Sequence, residues 1–193
     1  MRYYLDITLL PDAEVNLGFL WQKVYQQVHI ALVENKIAES QSAIAASFPK
    51  YGDREFPLGN TLRLLANEEN QLKQFDIEKW LSRLADYTHL KSIKEVPVGV
   101  TTFARFKRVQ FDTNIERLAR RRAKRKDESI EDALAHYSGF KDQQSKLPFV
   151  NLKSSKGGQF RLFIQREIVG KADARVFNCY GLSRNGEGTI PWF

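Results

Sequence analysis

Few side chains in this 193-residue sequence are equipped for chemistry: three histidines, one cysteine and a dense belt of arginine and lysine. The histidines are His29, His89 and His136, and imidazole is the side chain whose ordinary pKa lies nearest neutral pH. RNA is a natural partner for that chemistry because it carries its own nucleophile. A protein cuts it by holding a 2′-hydroxyl in line with the neighbouring phosphate, removing the hydroxyl's proton and protonating the leaving 5′ oxygen, and imidazole suits such transfers. His29 stands out of the three because it ends a row with Trp21 and Tyr25 at four-residue steps, at the edge of an apolar helix face. A lone histidine so placed is more often structural.

Other chemistries lack their signatures. Cys179 has no partner for an internal disulfide or a cysteine-paired zinc site, and no His-Glu helix motif occurs. The segment KSSKGGQ at 153–159 lacks the spacing of a phosphate-binding Walker loop. No tight cluster of Asp and Glu stands ready for two magnesium ions. Ser154 and Ser155 in that loop mean nothing alone. Tyr180 on an expected final strand reads as a core tyrosine. Phe160 reads as core too, unless it sits at a strand end, where an exposed ring stacks on a base.

The belt lies between Arg105 and Lys126 (RFKRVQFDTNIERLARRRAKRK), where ten basic residues face only Asp112 and Glu116. That stretch carries +8 while the whole chain carries +7, so everything else sums to −1. Its second half reads as a helix over about 114–126, started by a capping box of Thr113 with Glu116. The apolar stripe is thin (Ile115, Leu118, Ala119, Ala123). Arg117, Arg121 and Arg125 recur every fourth residue with Arg120 and Lys124 beside them, and like charges at that spacing repel. Such a helix gains little from packing and much from a polyanion, whose counterions each contact releases.

The elements that must position these residues follow from periodicity. A strand is expected at 3–10 and an amphipathic helix at 17–36, with Leu17, Leu20, Val24, Val28, Ala31 and Leu32 on its core face. Strands follow at 43–48 and 61–66. A helical region over 67–87 is capped by Asn67 and broken near Asp76, and a strand follows at 90–98. This β-α-β-β-α-β order is the split βαβ, or ferredoxin-like, unit. The expected class is therefore α+β, with a first domain over 1–97 and a second over 98–193. The second half holds an extended stretch at 100–110, where Arg108 and Gln110 share a face, the basic helix, a short helix at 129–137 capped by Ser129, and a linker at 143–146. Strands are expected at 149–152, 160–166 and 176–182.

Composition excludes little else. A lone cysteine suits a reducing cytosol, Asp6 interrupts what would be the core of a signal peptide, and no apolar run is long enough for a membrane span.

Motifs spread along the chain point further: YLDI at 4–7, LPD at 10–12, His29 with ALV at 31–33, RVQ at 108–110 and NIERLARRR at 114–122. LPFV at 147–150, FRLFI at 160–164, CYGLS at 179–183 and PWF at 191–193 complete the set. In order and spacing the chain resembles the CRISPR-associated endoribonucleases that cut repeat RNA in type I-F systems. The resemblance implies a ferredoxin-like N-terminal domain and a C-terminal domain with an arginine-rich helix and a small sheet. It also implies a cytoplasmic antiviral defence protein, monomeric when free. Such an enzyme binds the stem-loop of the repeat in precursor CRISPR RNA and cleaves at the 3′ base of the stem. It needs neither metal nor other cofactor, and leaves a 2′,3′-cyclic phosphate and a 5′-hydroxyl. It then stays on the mature guide RNA with other subunits of the type I-F surveillance complex.

The resemblance implies roles by position. His29 is catalytic, most simply as the base; Ser154 holds the ribose; Tyr180 orients the histidine. Arg108 and Gln110 read base edges in the lower stem, Phe160 stacks on the terminal base pair, and Arg117, Arg120, Arg121, Lys124 and Arg125 hold the phosphate backbone and groove near the loop. Lysine at 124 and 126 supplies charge without arginine's planar fork. Two other readings stand beside this one: a non-catalytic RNA-hairpin-binding subunit on the same fold, and a basic DNA-binding protein.

Overall fold

A computed structural model describes residues 1–111, 115–138, 146–154, 157–173, 177–184 and 186–193. Thr113 and Asn114, most of the expected linker, Ser155, Val176 and the side chain of Arg117 lie outside that set.

The chain is α+β with antiparallel sheets. It opens with β1 (Tyr3–Leu9) and α1 (Leu17–Glu34), then β2 (Ala45–Ser47) and β3 (Thr61–Ala66). Two short helices, α2 (Glu69–Phe75) and α3 (Ile77–Leu81), and a 3₁₀ turn at Ser82–Tyr87 lead to β4 (Thr88–Leu90) and β5 (Lys94–Glu95). The strands lie in the order β2-β3-β1-β4, with β5 also on β1. So β3 sits between β1 and β2, which α1 connects, and each of these pairings is antiparallel. Every residue of β3 is buried. Its one arginine, Arg63, answers Asp6 directly across the ladder at 2.7 Å and lies between the rings of Tyr4 and Phe193.

A second sheet follows the order β7-β8-β6-β9, with β6 (Phe103–Val109), β7 (Phe149–Lys153), β8 (Gln159–Val169) and β9 (Ile190–Pro191). One apolar core runs through both sheets and α1. Its centre is aromatic: Phe48 packs on Trp21 (5.5 Å between centroids), Tyr25 (5.9 Å) and Phe106 (5.1 Å). These contacts fix the angle of α1 against β6.

Two compact units result, one of residues 1–108 with 148–193 and one of residues 109–147. The second holds α4 (Ile115–Lys126) and α5 (Ile130–His136), which pack through Ala119, Ala123 and Ala133. Ser129 caps α5 by accepting from the Asp132 N–H. Among the described residues no helix is long and apolar enough to cross a membrane.

Four expectations are corrected. Trp21 and Tyr25 are fully buried rather than at a helix edge, because α1 is covered along its whole apolar side. Glu68, not Asn67, caps α2, in a reciprocal box with Gln71, and Asp76 in the left-handed region (φ 44°) breaks the helix. The strand expected at 90–98 is two short pieces. Leu90, Ile93 and Val96 all pack on the core, and a spacing of three cannot share one face of an unbroken strand. The strand expected at 176–182 is instead a tight turn. Asn178 Oδ1 accepts from the N–H groups of Tyr180 (2.8 Å) and Leu182 (3.2 Å), and Gly181 adopts φ 71°. Short-range side-chain bonding of this kind outcompetes a ladder.

Candidate active site

Asn16 starts α1 by accepting from the Phe19 N–H, and the helix then carries His29 on its half-buried flank. The turn at 177–183 meets that flank, clamped by neighbours on several sides. The Ser42 N–H donates to Phe177 O (2.9 Å), the Ala46 N–H to Gly181 O (2.8 Å) and the Ser183 N–H to Phe106 O (2.8 Å). From α1, the buried Tyr25 hydroxyl donates to Tyr180 O at 2.8 Å. Burial pushes that phenol well above its ordinary value, with the neighbouring Tyr180 adding to the effect, so it stays a donor.

The turn grips the histidine in two ways. His29 Nδ1 lies 2.8 Å from the Cys179 carbonyl oxygen. A carbonyl only accepts, so Nδ1 carries the hydrogen and the neutral ring keeps its lone pair on Nε2. The Tyr180 ring lies flat against the imidazole, with centroids 4.2 Å apart and planes within 8°. Burial lowers the His29 pKa below its ordinary value; the Cys179 bond partly offsets this and the nearby Arg108 charge adds to it. The ring is therefore neutral at pH 7, as a proton acceptor must be. Burial raises the Cys179 pKa, which keeps the thiol protonated and leaves the backbone carbonyl as this residue's contribution.

Arg108, at the end of β6, places its guanidinium over both Tyr180 (5.2 Å) and Phe160 (5.5 Å), whose rings meet edge to face. His29, Arg108, Tyr180 and Lys36 line one cleft of about 400 Å³. Phe160 is the second residue of β8 and half-buried, as the strand-end reading requires. Ser154 follows β7 in a turn closed by its own N–H to Gly158 O (2.7 Å) and by Gly157 N–H to its carbonyl (2.9 Å). The neighbouring Lys153 N–H donates to Gln26 Oε1 at 2.9 Å, which ties this loop to α1 about one turn before His29.

Four of the expected residues thus form one cluster, His29, Tyr180, Arg108 and Phe160, and Ser154 follows Lys153, whose N–H is bonded to the same helix. The two-residue alternation expected to pair Arg108 with Gln110 stops short, since β6 ends at Val109 and Gln110 is exposed just beyond it. On α4, Arg120, Arg121, Lys124 and Arg125 are all exposed, and Arg120 pairs with Glu116 at 3.0 Å. Sequence reasoning missed the Cys179 carbonyl, the Tyr25 strut and the Gln26 anchor. Tyr25 and Gln26 share helical faces with His29, which was a usable signal; a backbone carbonyl gives none.

Residues 4–193 match the family model described as CRISPR-associated protein (Cas_Csy4). The chain belongs to this family. It is similar over the full length of both proteins to the CRISPR-associated endonuclease Cas6/Csy4 of Pseudomonas aeruginosa (strain UCBPP-PA14), at 36% identity. It is similar in the same way, at 32% identity, to the CRISPR-associated endonuclease Cas6/Csy4 of Escherichia coli (strain UTI89 / UPEC). Membership spans both sheets and the basic helix of this Cas_Csy4 protein, so every residue of the cluster lies within the matched region.

Proposed function

We propose that this protein is the endoribonuclease that processes type I-F precursor CRISPR RNA, binding the repeat stem-loop and cutting at the 3′ base of the stem. The observation that carries the reading is the state of His29, with Nδ1 committed to a carbonyl, Nε2 open and a pKa held down. In the proposed step Nε2 takes the 2′-hydroxyl proton of the last paired nucleotide. The 2′ oxygen bonds to phosphorus, the bond to the 5′ oxygen breaks, and solvent protonates the leaving oxygen. A 2′,3′-cyclic phosphate and a 5′-hydroxyl remain, and no metal takes part.

Residues 1–97 contribute the base, and 98–193 most of the RNA-binding side chains. Ser154 constrains the ribose, and Tyr180 aligns the imidazole by stacking. Phe160 receives the terminal base pair. Arg108 and Gln110 read guanine and adenine edges in the lower stem. Arg117, Arg120, Arg121, Lys124 and Arg125 take the phosphates, entering the groove where a short hairpin opens, since a long A-form major groove is too narrow. Slow release, from several charge contacts, suits an enzyme that keeps its product within a surveillance complex.

Incubation with a repeat hairpin and a chelator tests the proposal. Cleavage should survive chelation and stop when the scissile ribose is 2′-deoxy. His29→Ala should lose cleavage and keep affinity within about threefold, because a neutral ring supplies no charge to binding. Tight binding without any cut would instead make this a non-catalytic hairpin-binding subunit, and preference for duplex DNA would overturn both readings.

A further inference from the structure

A larger groove, of about 590 Å³, opens on the same face of α1 as the candidate active site. It lies beyond the catalytic cleft and shares with the candidate site only the Gln26–Lys153 bond that anchors the Ser154 loop. Lys23, Lys79, Arg83 and Lys153 line it, and none of its lining residues is acidic. The half-buried Trp80 and the 46% exposed Phe19 add two aromatic rings, with the Lys23 ammonium 5.0 Å from the Phe19 centroid. Gln22, Gln26 and Gln27 supply neutral donors and acceptors. Cations, open rings and amides together, with no carboxylate, are the makings of a single-strand nucleic-acid site: charge follows the backbone and rings take bases irrespective of sequence.

Its place relative to His29 identifies the strand. Phe19, Gln22, Gln26, His29 and Val33 recur at steps of three and four and so form one stripe along α1. The first three line this groove and the last two line the catalytic cleft. At about 1.5 Å per residue, the groove extends from roughly 5 to 15 Å from His29 along the helix, a span of a few nucleotides. The cut strand passes the base by necessity, and the unpaired 3′ flank continues beyond the scissile phosphate. The 5′ flank leaves from the opposite side of the terminal base pair.

We infer that this groove holds the single-stranded RNA on the 3′ side of the cut. The inference rests on the proposed endoribonuclease reading, and the groove's role is to pull the scissile phosphate taut past His29 and let the flank go after cleavage.

The test compares three hairpins that are 2′-deoxy at the scissile ribose: one ending at the stem base, one with a short oligouridine 3′ flank, one with the same flank on the 5′ side. The 3′ flank should tighten binding by about tenfold at low salt. It should also steepen the salt dependence by roughly 0.7 per phosphate contact, or about 1.4–2.8 for two to four contacts. Lys79→Gln with Arg83→Gln should remove most of that gain while leaving the flankless hairpin bound as by wild type, which also controls for folding. Phe19→Ala should cost the 3′-flanked RNA alone about tenfold. Equal affinity for flanked and flankless hairpins overturns the inference, as does an equal gain from the 5′ flank. So does a loss in the variants that is the same for all three, as a groove for an acidic protein surface or a purely structural role would give. Failure to bind any hairpin would defeat the endoribonuclease reading itself, whereas tight binding indifferent to the flank would defeat only this inference.

Discussion

His29 sits between opposed influences, and the balance predicts a pH profile. Burial and the Arg108 charge disfavour the imidazolium, while the Cys179 carbonyl favours it, and the net result lies below the ordinary 6.5. A base works when neutral, so single-turnover cleavage should climb as pH rises through the lowered pKa and be flat by neutral pH. Arg108→Ala removes one lowering influence. Its acidic limb should move to higher pH, so that at pH 6 the variant runs at a smaller fraction of its own plateau; a rate that falls with rising pH would instead make His29 the acid. The same variant should weaken discrimination at one base pair by about 1–3 kcal/mol. Tyr180 makes a second residue-scale case. Its ring stacks on His29 and its backbone oxygen receives the Tyr25 hydroxyl, so the alignment depends on the ring and the main chain. Tyr180→Phe should keep the cleavage rate within about threefold. Tyr180→Ala forfeits a stack worth roughly 0.5–1.5 kcal/mol and should slow cleavage by about two- to thirteenfold, at 1.36 kcal/mol per decade. The spacing from Trp21 and Tyr25 located the histidine on its helix without assigning it a role, and gave no tautomer, which a main-chain oxygen from 150 residues away decides.

The turn at 177–183 is the element on which the site depends, and Gly181 is its weak point. At φ 71° the residue is in the region glycine tolerates best, and an added Cβ would lie 2.7 Å from Ala46 N and 2.8 Å from Ala46 Cβ. Backbone strain of this type costs roughly 1–3 kcal/mol, and the displaced atoms here are main chain of β2 with no freedom to yield. Gly181→Ala should therefore lower the thermal midpoint and also reduce cleavage at temperatures where the protein stays folded, because Cys179 and Tyr180 ride on the same turn. A loss of stability with full activity would mean that the turn does not position His29. Elements with plain local signals were legible beforehand: α1 follows from apolar spacing, β1 and β3 from β-rich composition, α4 from its charge spacing and α5 from its serine cap. Those set by local polar bonding were not. The segment 177–182 has strand-like composition, yet Asn178 folds it back on itself. The three-residue spacing of Leu90, Ile93 and Val96 broke a strand that composition favoured. Both failures arise where a side chain's own hydrogen bonds or packing outweigh β propensity.

At the scale of the whole molecule the question is how much of the basic belt is available to a polyanion. Within the first unit Arg105 pairs with Asp173 at 2.7 Å and Glu167 at 3.5 Å, and Lys107 pairs with Glu167. The Lys107 hydrogen bond and charge, with Arg105, hold the Glu167 carboxyl below the usual carboxylate range, so Glu167 stays ionised and, with Asp173, partners the strand's own cations. Charge counted along the sequence therefore overstates the phosphate-binding capacity, and the exposed cations of α4 should supply most of it. The Arg120–Glu116 pair is exposed at both ends; such a pair is worth about 0.3–0.5 kcal/mol and gives way readily to a phosphate. With roughly four to five contacts from α4, log affinity for the repeat hairpin should fall against log salt with a slope of about −3 to −5. The combined Arg121→Ala, Lys124→Ala and Arg125→Ala variant should flatten that slope by roughly 2–3, uniformly across stem sequences, and leave single-turnover cleavage at saturating protein near wild type. Replacing Arg105 and Lys107 by Gln should hardly change the slope, since their charges are already answered within the fold. Equal flattening by the two sets of substitutions would mean that the polyanion displaces Glu167 and Asp173, and that the strand, not the helix, is the main electrostatic contact.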